Sequence, residues 1–128
     1  MTRDSDVFLS LQERSNISNR NNADIFVSIH RNAFSNPAAN GVETFVSLAP
    51  SQIETRNANF VQNALVNVGV QSNRGVKNGN FAVLRNTNAP SMMVELGFIT
   101  NTRDNELFDT QFNAYANAIA NGIMQSLG

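Results

Sequence analysis

The stretch Ala23-Asp24-Ile25-Phe26-Val27-Ser28-Ile29-His30-Arg31-Asn32-Ala33 decides how this chain is read. Ile25 to Ile29 is a short run of branched and aromatic side chains that predicts a buried strand, parallel to its neighbours because both of its faces are largely apolar. The run ends at His30, the only histidine of the chain, and polar residues follow at once. Open α/β folds deliver reactive groups to a crevice at the carboxyl ends of their strands. A second stretch, Pro90-Ser91-Met92-Met93-Val94-Glu95-Leu96-Gly97-Phe98-Ile99, repeats the pattern with Glu95 inside an apolar strand, where an unpaired carboxylate is costly. One neutral nitrogen and one carboxylate are two parts of a metal-assisted hydrolase, and not a whole site.

Working outward, Asp4 or Asp6 can cap a helix with Val7, Phe8, Leu11 and Ile17 turned inward, ending near Asn21 and Asn22. After His30, a loop from Phe34 to Asn40 leads to Gly41 and a strand through Val42, Thr44, Phe45, Val46 and Leu48. Ser51 and Glu54 form a capping-box signature ahead of apolar residues at helical spacing from Ile53 to Val68, with Gly69 as a left-handed terminator. Asn73 to Asn80 reads as a polar, glycine-bearing loop, Phe81 to Leu84 as a strand, and Asn86 to Pro90 as a turn before the strand Met92 to Leu96. The last helix spans about Asp109 to Leu127, with Phe112, Tyr115, Ile119 and Ile123 on one stripe. Helices and strands alternate without an internal repeat or a linker, which predicts a single α/β domain over residues 1–128.

Composition narrows the function classes. A net charge of −1 with 15% charged residues leaves no electrostatic footprint for nucleic acid or an anionic membrane. The absence of cysteine removes disulfides and thiolate metal sites. No apolar stretch reaches the roughly 18 to 20 residues of a membrane span, and the opening Met-Thr-Arg-Asp-Ser-Asp is not a signal-peptide core. The glycines near Gly75 and Gly79 do not match a phosphate-binding spacing.

Each singled-out residue has a plainer reading beside the chemical one. A lone strand-end histidine is more often a hydrogen-bonded structural residue than a metal ligand. Glu95 can pair with Arg85 or Arg74 and be structural, because buried charges are normally partnered. Glu43 alternates within its strand and is expected to be solvated or paired across strands, while Arg3 and Arg14 are expected to bridge local carboxylates.

Several blocks then agree, in order, with one known family. They are Thr2-Arg3 with Asp6, Leu11, Arg14 and Asn19; Ala23-Asp24 and Phe26 to His30 with Asn32-Ala33; Gly41 with Glu43; Arg74-Gly75-Val76-Lys77; Val83-Leu84-Arg85 with Thr87 and Pro90; and Val94 to Ile99 with Asn101. Together they resemble the zinc-dependent N-acetylmuramoyl-L-alanine amidases of bacterial cell-wall turnover, the amidase-3 family, across nearly the whole chain.

The resemblance implies an open, mostly parallel sheet with helices on both faces, and hydrolysis of the amide joining muramic acid to the L-alanine of the stem peptide in peptidoglycan. It also implies an extracellular or cell-wall location. In the family one zinc is held by His, Glu and His, and a further glutamate assists the reaction; by motif, His30 corresponds to the last zinc ligand and Glu95 to the catalytic glutamate, with Asn32 lining the site. A zinc-bound water with a pKa of about 7 supplies hydroxide in such a site, and Glu95 would move its proton to the departing nitrogen. This chain departs from the pattern in one respect: the Gly-His-Gly-Gly type motif and the ligand glutamate that precede Thr2-Arg3 in the family are absent, so the first strand and helix of the family fold are missing and the zinc site is incomplete. Glu13, Glu43, Glu54 and Glu106 fall in other blocks. An N-terminally truncated amidase domain is therefore expected, with an exposed sheet edge that invites self-association. The alternative is a catalytically inactive, wall-associated binding or regulatory module derived from an amidase.

Overall fold

The computed structural model describes all residues of the chain except Asp4 and Asp6. Its strands are β1 (Phe26–Asn32), β2 (Val42–Val46), β3 (Asn73–Asn78) and β4 (Ser91–Phe98); its helices are α1 (Leu11–Arg20), α2 (Gln52–Val68), α3 (Ala82–Arg85), α4 (Thr102–Thr110) and α5 (Phe112–Leu127). One sheet runs β1-β4-β2-β3, with β1 parallel to β4, β2 parallel to β3, and β2 antiparallel to β4. This is the open, mostly parallel sheet that the family resemblance implies, with one antiparallel pairing.

Strand alternation divides the core in two. Val42, Met92, Val94 and Leu96 pack on one face against Val61 and Leu65 of α2 and Tyr115 and Ile119 of α5. Phe26 and Met93 pack on the other with Val83 and Leu84 of α3, next to an edge-on Phe45–Phe81 ring pair at 5.1 Å. Helices thus cover both faces. The α2 helix starts as its sequence dictates, with both halves of the Ser51–Glu54 capping box formed. Gly69 ends it at φ +121°, but its ψ of 119° is extended rather than left-handed helical. No helix among the described residues is long and apolar enough to cross a membrane.

Four local expectations are corrected. The first helix is capped by Ser10, whose hydroxyl accepts from the Glu13 N–H; the expected caps Asp4 and Asp6 lie outside the described residues. Val7 and Phe8 precede the helix and are 48% and 85% exposed, whereas Ser15 and Ser18 are buried. Small residues suit that face, because α1 lies close to α3 and the Thr87 hydroxyl donates to Ser15 Oγ at 3.2 Å. Residues expected to form a polar loop form β3: an edge strand contributing mainly cross-strand polar contacts needs no apolar alternation. Conversely, the Phe81–Leu84 stretch enters a helical turn, since a four-residue apolar run does not by itself distinguish strand from helix. The final helical region is two helices, with α4 capped by Asn101, whose side chain accepts from the Asp104 N–H.

Candidate active site

The sheet register assembles the site. His30 on β1 lies directly opposite Glu95 on β4, Glu95 lies opposite Glu43 on β2, and Glu43 lies opposite Gly75 on β3. Laterally paired residues point to the same face of a sheet, so an imidazole and two carboxylates stand in a row across three strands. Strand β1 does not stop at His30 but continues to Asn32, and its pairing with β4 slips between these two residues. Gly97, at φ +80°, sits in the matching irregularity of β4 and brings Phe98 opposite Asn32.

The members of this row differ electrostatically. Glu43 is 3% exposed and fully engaged: Oε2 accepts from Arg74 Nε at 3.0 Å and Lys77 Nζ at 2.6 Å, and Oε1 accepts from the Asn32 amide at 3.1 Å. Glu95 is half-buried, and its Oε2 has no hydrogen-bond partner among the described residues. Neither arginine considered for Glu95 reaches it: Arg74 goes to Glu43, and Arg85 donates to Asn80 Oδ1 at 2.6 Å. Burial, and then the charge of Glu43, push the Glu95 carboxyl up to about 7. Among the described residues His30 has one side-chain hydrogen bond, between Nε2 and Ser28 Oγ at 2.6 Å, and burial followed by the nearby Arg14 charge holds its pKa below the ordinary value. A neutral imidazole beside a proton-holding carboxyl is a pair suited to acid–base work near neutral pH. Arg3 and Arg14 donate to the backbone carbonyls of Val7 and Leu9, and the carboxylates nearest Arg3, Asp4 and Asp6, lie outside the described residues.

The raised pKa has a consequence for stability. The Glu95 carboxyl ordinarily titrates at 4.5, and in the folded chain at about 7. Between those values the folded state binds more protons than the unfolded state, so stability falls as pH rises through this window and the loss is complete above it. Glu95→Gln removes this part of the slope: in urea melts across the window, the variant gains on the parent with rising pH. A parallel pair of pH curves would show an ordinary carboxyl.

Sequence reasoning placed His30, Glu95 and Asn32 and missed the cationic partners of Glu43. Arg74 and Lys77 fall in the stretch whose composition reads as a loop, and the signal that marks them is their place in the Arg74-Gly75-Val76-Lys77 block of the family resemblance. As for a metal, the described residues contain no group of three His, Cys, Asp or Glu side chains arranged to hold one. His30 and Glu95 are too few protein donors for a structural or catalytic zinc site, so the residues present do not by themselves fit the ion. Beside His30, β1 is an edge strand: Ile29 is 53% exposed, and a cavity of about 570 Å³ runs between β1 and α1, lined in part by Arg14, Ser18, Phe26 and Ser28.

Known proteins share this fold. The crystal structure of the N-acetylmuramoyl-L-alanine amidase from Clostridium difficile 630 superposes with a TM-score of 0.92 at 32% identity, over 98% of this chain and 69% of that one. The catalytic domain of CwlV, an N-acetylmuramoyl-L-alanine amidase from Bacillus (Paenibacillus) polymyxa var. colistinus, gives 0.89 at 35% identity, over 98% and 70%. The N-acetylmuramoyl-L-alanine amidase LytC of Bacillus subtilis (strain 168) is 39% identical over 106 residues, 81% of this chain and 21% of that protein. The chain spans 20%, 60% and 41% of the length of three curated relatives it matches. Residues 1–125 match the family model Amidase_3, N-acetylmuramoyl-L-alanine amidase, and with this sheet register and these relatives the chain belongs to that family.

Proposed function

We propose that this chain belongs to a peptidoglycan hydrolase that cleaves the amide between N-acetylmuramic acid and the L-alanine of the stem peptide, acting in the cell wall or outside the cell. The observation that carries the reading is the orphan Glu95 carboxyl, half-buried, raised to about 7 and set directly opposite His30. A carboxyl in that state takes a proton from an attacking water and returns it to the departing alanine nitrogen. A purely structural glutamate in an apolar strand would instead be paired, as Glu43 is. We further propose that His30 is one ligand of a zinc ion, that Asn32 lines the substrate cleft, and that the remaining ligands come from a segment outside these 128 residues, which the open edge of β1 would receive.

The lack of a three-donor cluster among the described residues favours a second reading for the chain by itself: a wall-associated module without catalysis. Zinc separates the two. The 128-residue chain alone is expected to take up zinc weakly or not at all in equilibrium dialysis. The same chain preceded by a Gly-His-Gly-Gly type strand and a spaced glutamate is expected to bind one equivalent and to release stem peptides from muropeptides. A metal-loaded, lengthened protein that binds muropeptides and releases nothing would establish the inactive module instead.

A further inference from the structure

Arg74 and Lys77 are three residues apart on β3, a spacing that puts two side chains on opposite faces of a regular strand. Here both reach the same carboxylate oxygen, Glu43 Oε2. The pairing of β2 with β3 slips between Val42 and Glu43, so that Val42 faces Asn73 while Glu43 faces Gly75, and Arg74 becomes the extra residue of a bulge. Gly75 adopts φ +78° there. Bulges of this kind re-aim a side chain and recur beside active sites; this one turns a second cation onto the face that carries Glu95.

Neutralising Glu43 requires one cation, and the site supplies two. Glu95 does not use the other, since its free oxygen has no partner among the described residues. Arg74 lies over the Phe98 ring at 5.0 Å and also donates to the Asn40 carbonyl, so it is held from several sides. The Lys77 ammonium makes a single contact, to Glu43, and its side chain is 41% exposed. The cations, on β3 two strands beyond Glu95, therefore converge over Glu43 on the intervening β2 as a solvent-open shelf with surplus positive charge. Neighbouring strands are about 4.8 Å apart, and an extended peptide advances about 3.3–3.6 Å per residue. Glu43, on which both cations converge, is the one-strand neighbour of Glu95, so a carboxylate on the residue that follows the scissile alanine would come within reach of their head groups when the scissile amide is at Glu95.

We infer that Arg74 and Lys77, aligned by Glu43, form a subsite for a free carboxylate on the stem peptide and so select anionic over amidated peptides. This rests on the amidase reading of the site and adds the substrate class. Lys77 and Arg74 act on the substrate's charge, and Glu43 is a positioning residue that holds them.

The test uses the 128-residue chain and two ligands, N-acetylmuramoyl-L-alanyl-D-glutamate with free carboxylates and the same compound with them amidated, each titrated while backbone amide resonances are followed. The acid is expected to bind about tenfold more tightly, the worth of one charge-assisted hydrogen bond, with the largest shifts in β3. In Lys77→Met, which leaves Glu43 paired with Arg74, the preference should fall severalfold, and Lys77→Arg should restore it. Equal affinity for the two ligands, or a preference unchanged in Lys77→Met, overturns the subsite and leaves the amidase reading standing. Failure of both ligands to bind also overturns the subsite.

Discussion

Glu95→Gln, introduced into the protein lengthened to complete its ligand set, is expected to lower the turnover of muropeptides by about 10²–10⁴-fold while zinc uptake and KM stay near those of the parent. The substitution keeps the shape of the side chain and removes its ability to take a proton. Because Oε2 has no partner among the described residues, no ion pair is broken by the change, and the fold should be unharmed. Relief of the like charge facing Glu43 would stabilise the variant above neutral pH. A loss of activity in a protein at least as stable as the parent cannot be attributed to unfolding, so the rate reports chemistry. Initial rates of stem-peptide release, measured with urea melts on the same preparation, give both readings. Turnover close to the parental value would remove Glu95 from the mechanism. His30→Ala should behave differently and lose metal together with activity, because an imidazole has no substitute elsewhere in a chain with one histidine.

What the sequence made legible follows the physics of each element. The central strands were readable because they are buried on both faces: β4 is apolar at every position but Glu95 and the glycine and serine of its ends, and the mismatch pointed to the residue of interest. The α2 helix was readable because its start is written in two residues, Ser51 and Glu54, that act locally. By contrast, β3 has no apolar stripe to betray it; its place in the sheet depends on β2 and on the Glu43 ion pairs, contacts more than 30 residues distant in sequence. Phe81 to Leu84 had the composition of a strand, and only the packing of Val83 and Leu84 beneath Phe26 and Met93 chooses the helical turn. The same distinction divides the site. His30 and Glu95 each stand out in their own strand, whereas the Arg74–Glu43–Lys77 cluster exists only after the bulge has formed, so the sequence showed its members without showing that they meet.

Asp104→Ala should have the largest effect on stability, about 3–5 kcal/mol. Asp104 is 5% exposed and lies in the first turn of α4, where its own N–H is capped by Asn101. Its Oδ2 accepts the backbone N–H groups of Gly41 and Phe98, each at 2.9 Å, and its Oδ1 accepts from the Gln71 amide at 2.8 Å. These bonds fasten the entry of β2 and the exit of β4 to one carboxylate, and those are the strand ends next to Glu43 and Glu95. Alanine would leave two buried N–H groups without a partner, at about 1–3 kcal/mol apiece, and open space beside Gly97, where even an added Cβ would lie 3.1 Å from Asp104 Oδ2. Against a total stability of about 5–15 kcal/mol for a domain, that loss is a large fraction. Asparagine offers one oxygen in the Oδ2 position and can keep both N–H bonds, with Gln71 turning its amide to accept, so Asp104→Asn should lose less than half as much. Denaturant melts of the two variants order them. If alanine costs no more than asparagine, the two N–H bonds are not what joins α4 to the sheet, and the packing of Arg31 against Phe108, at 4.3 Å, must hold that end of the molecule instead.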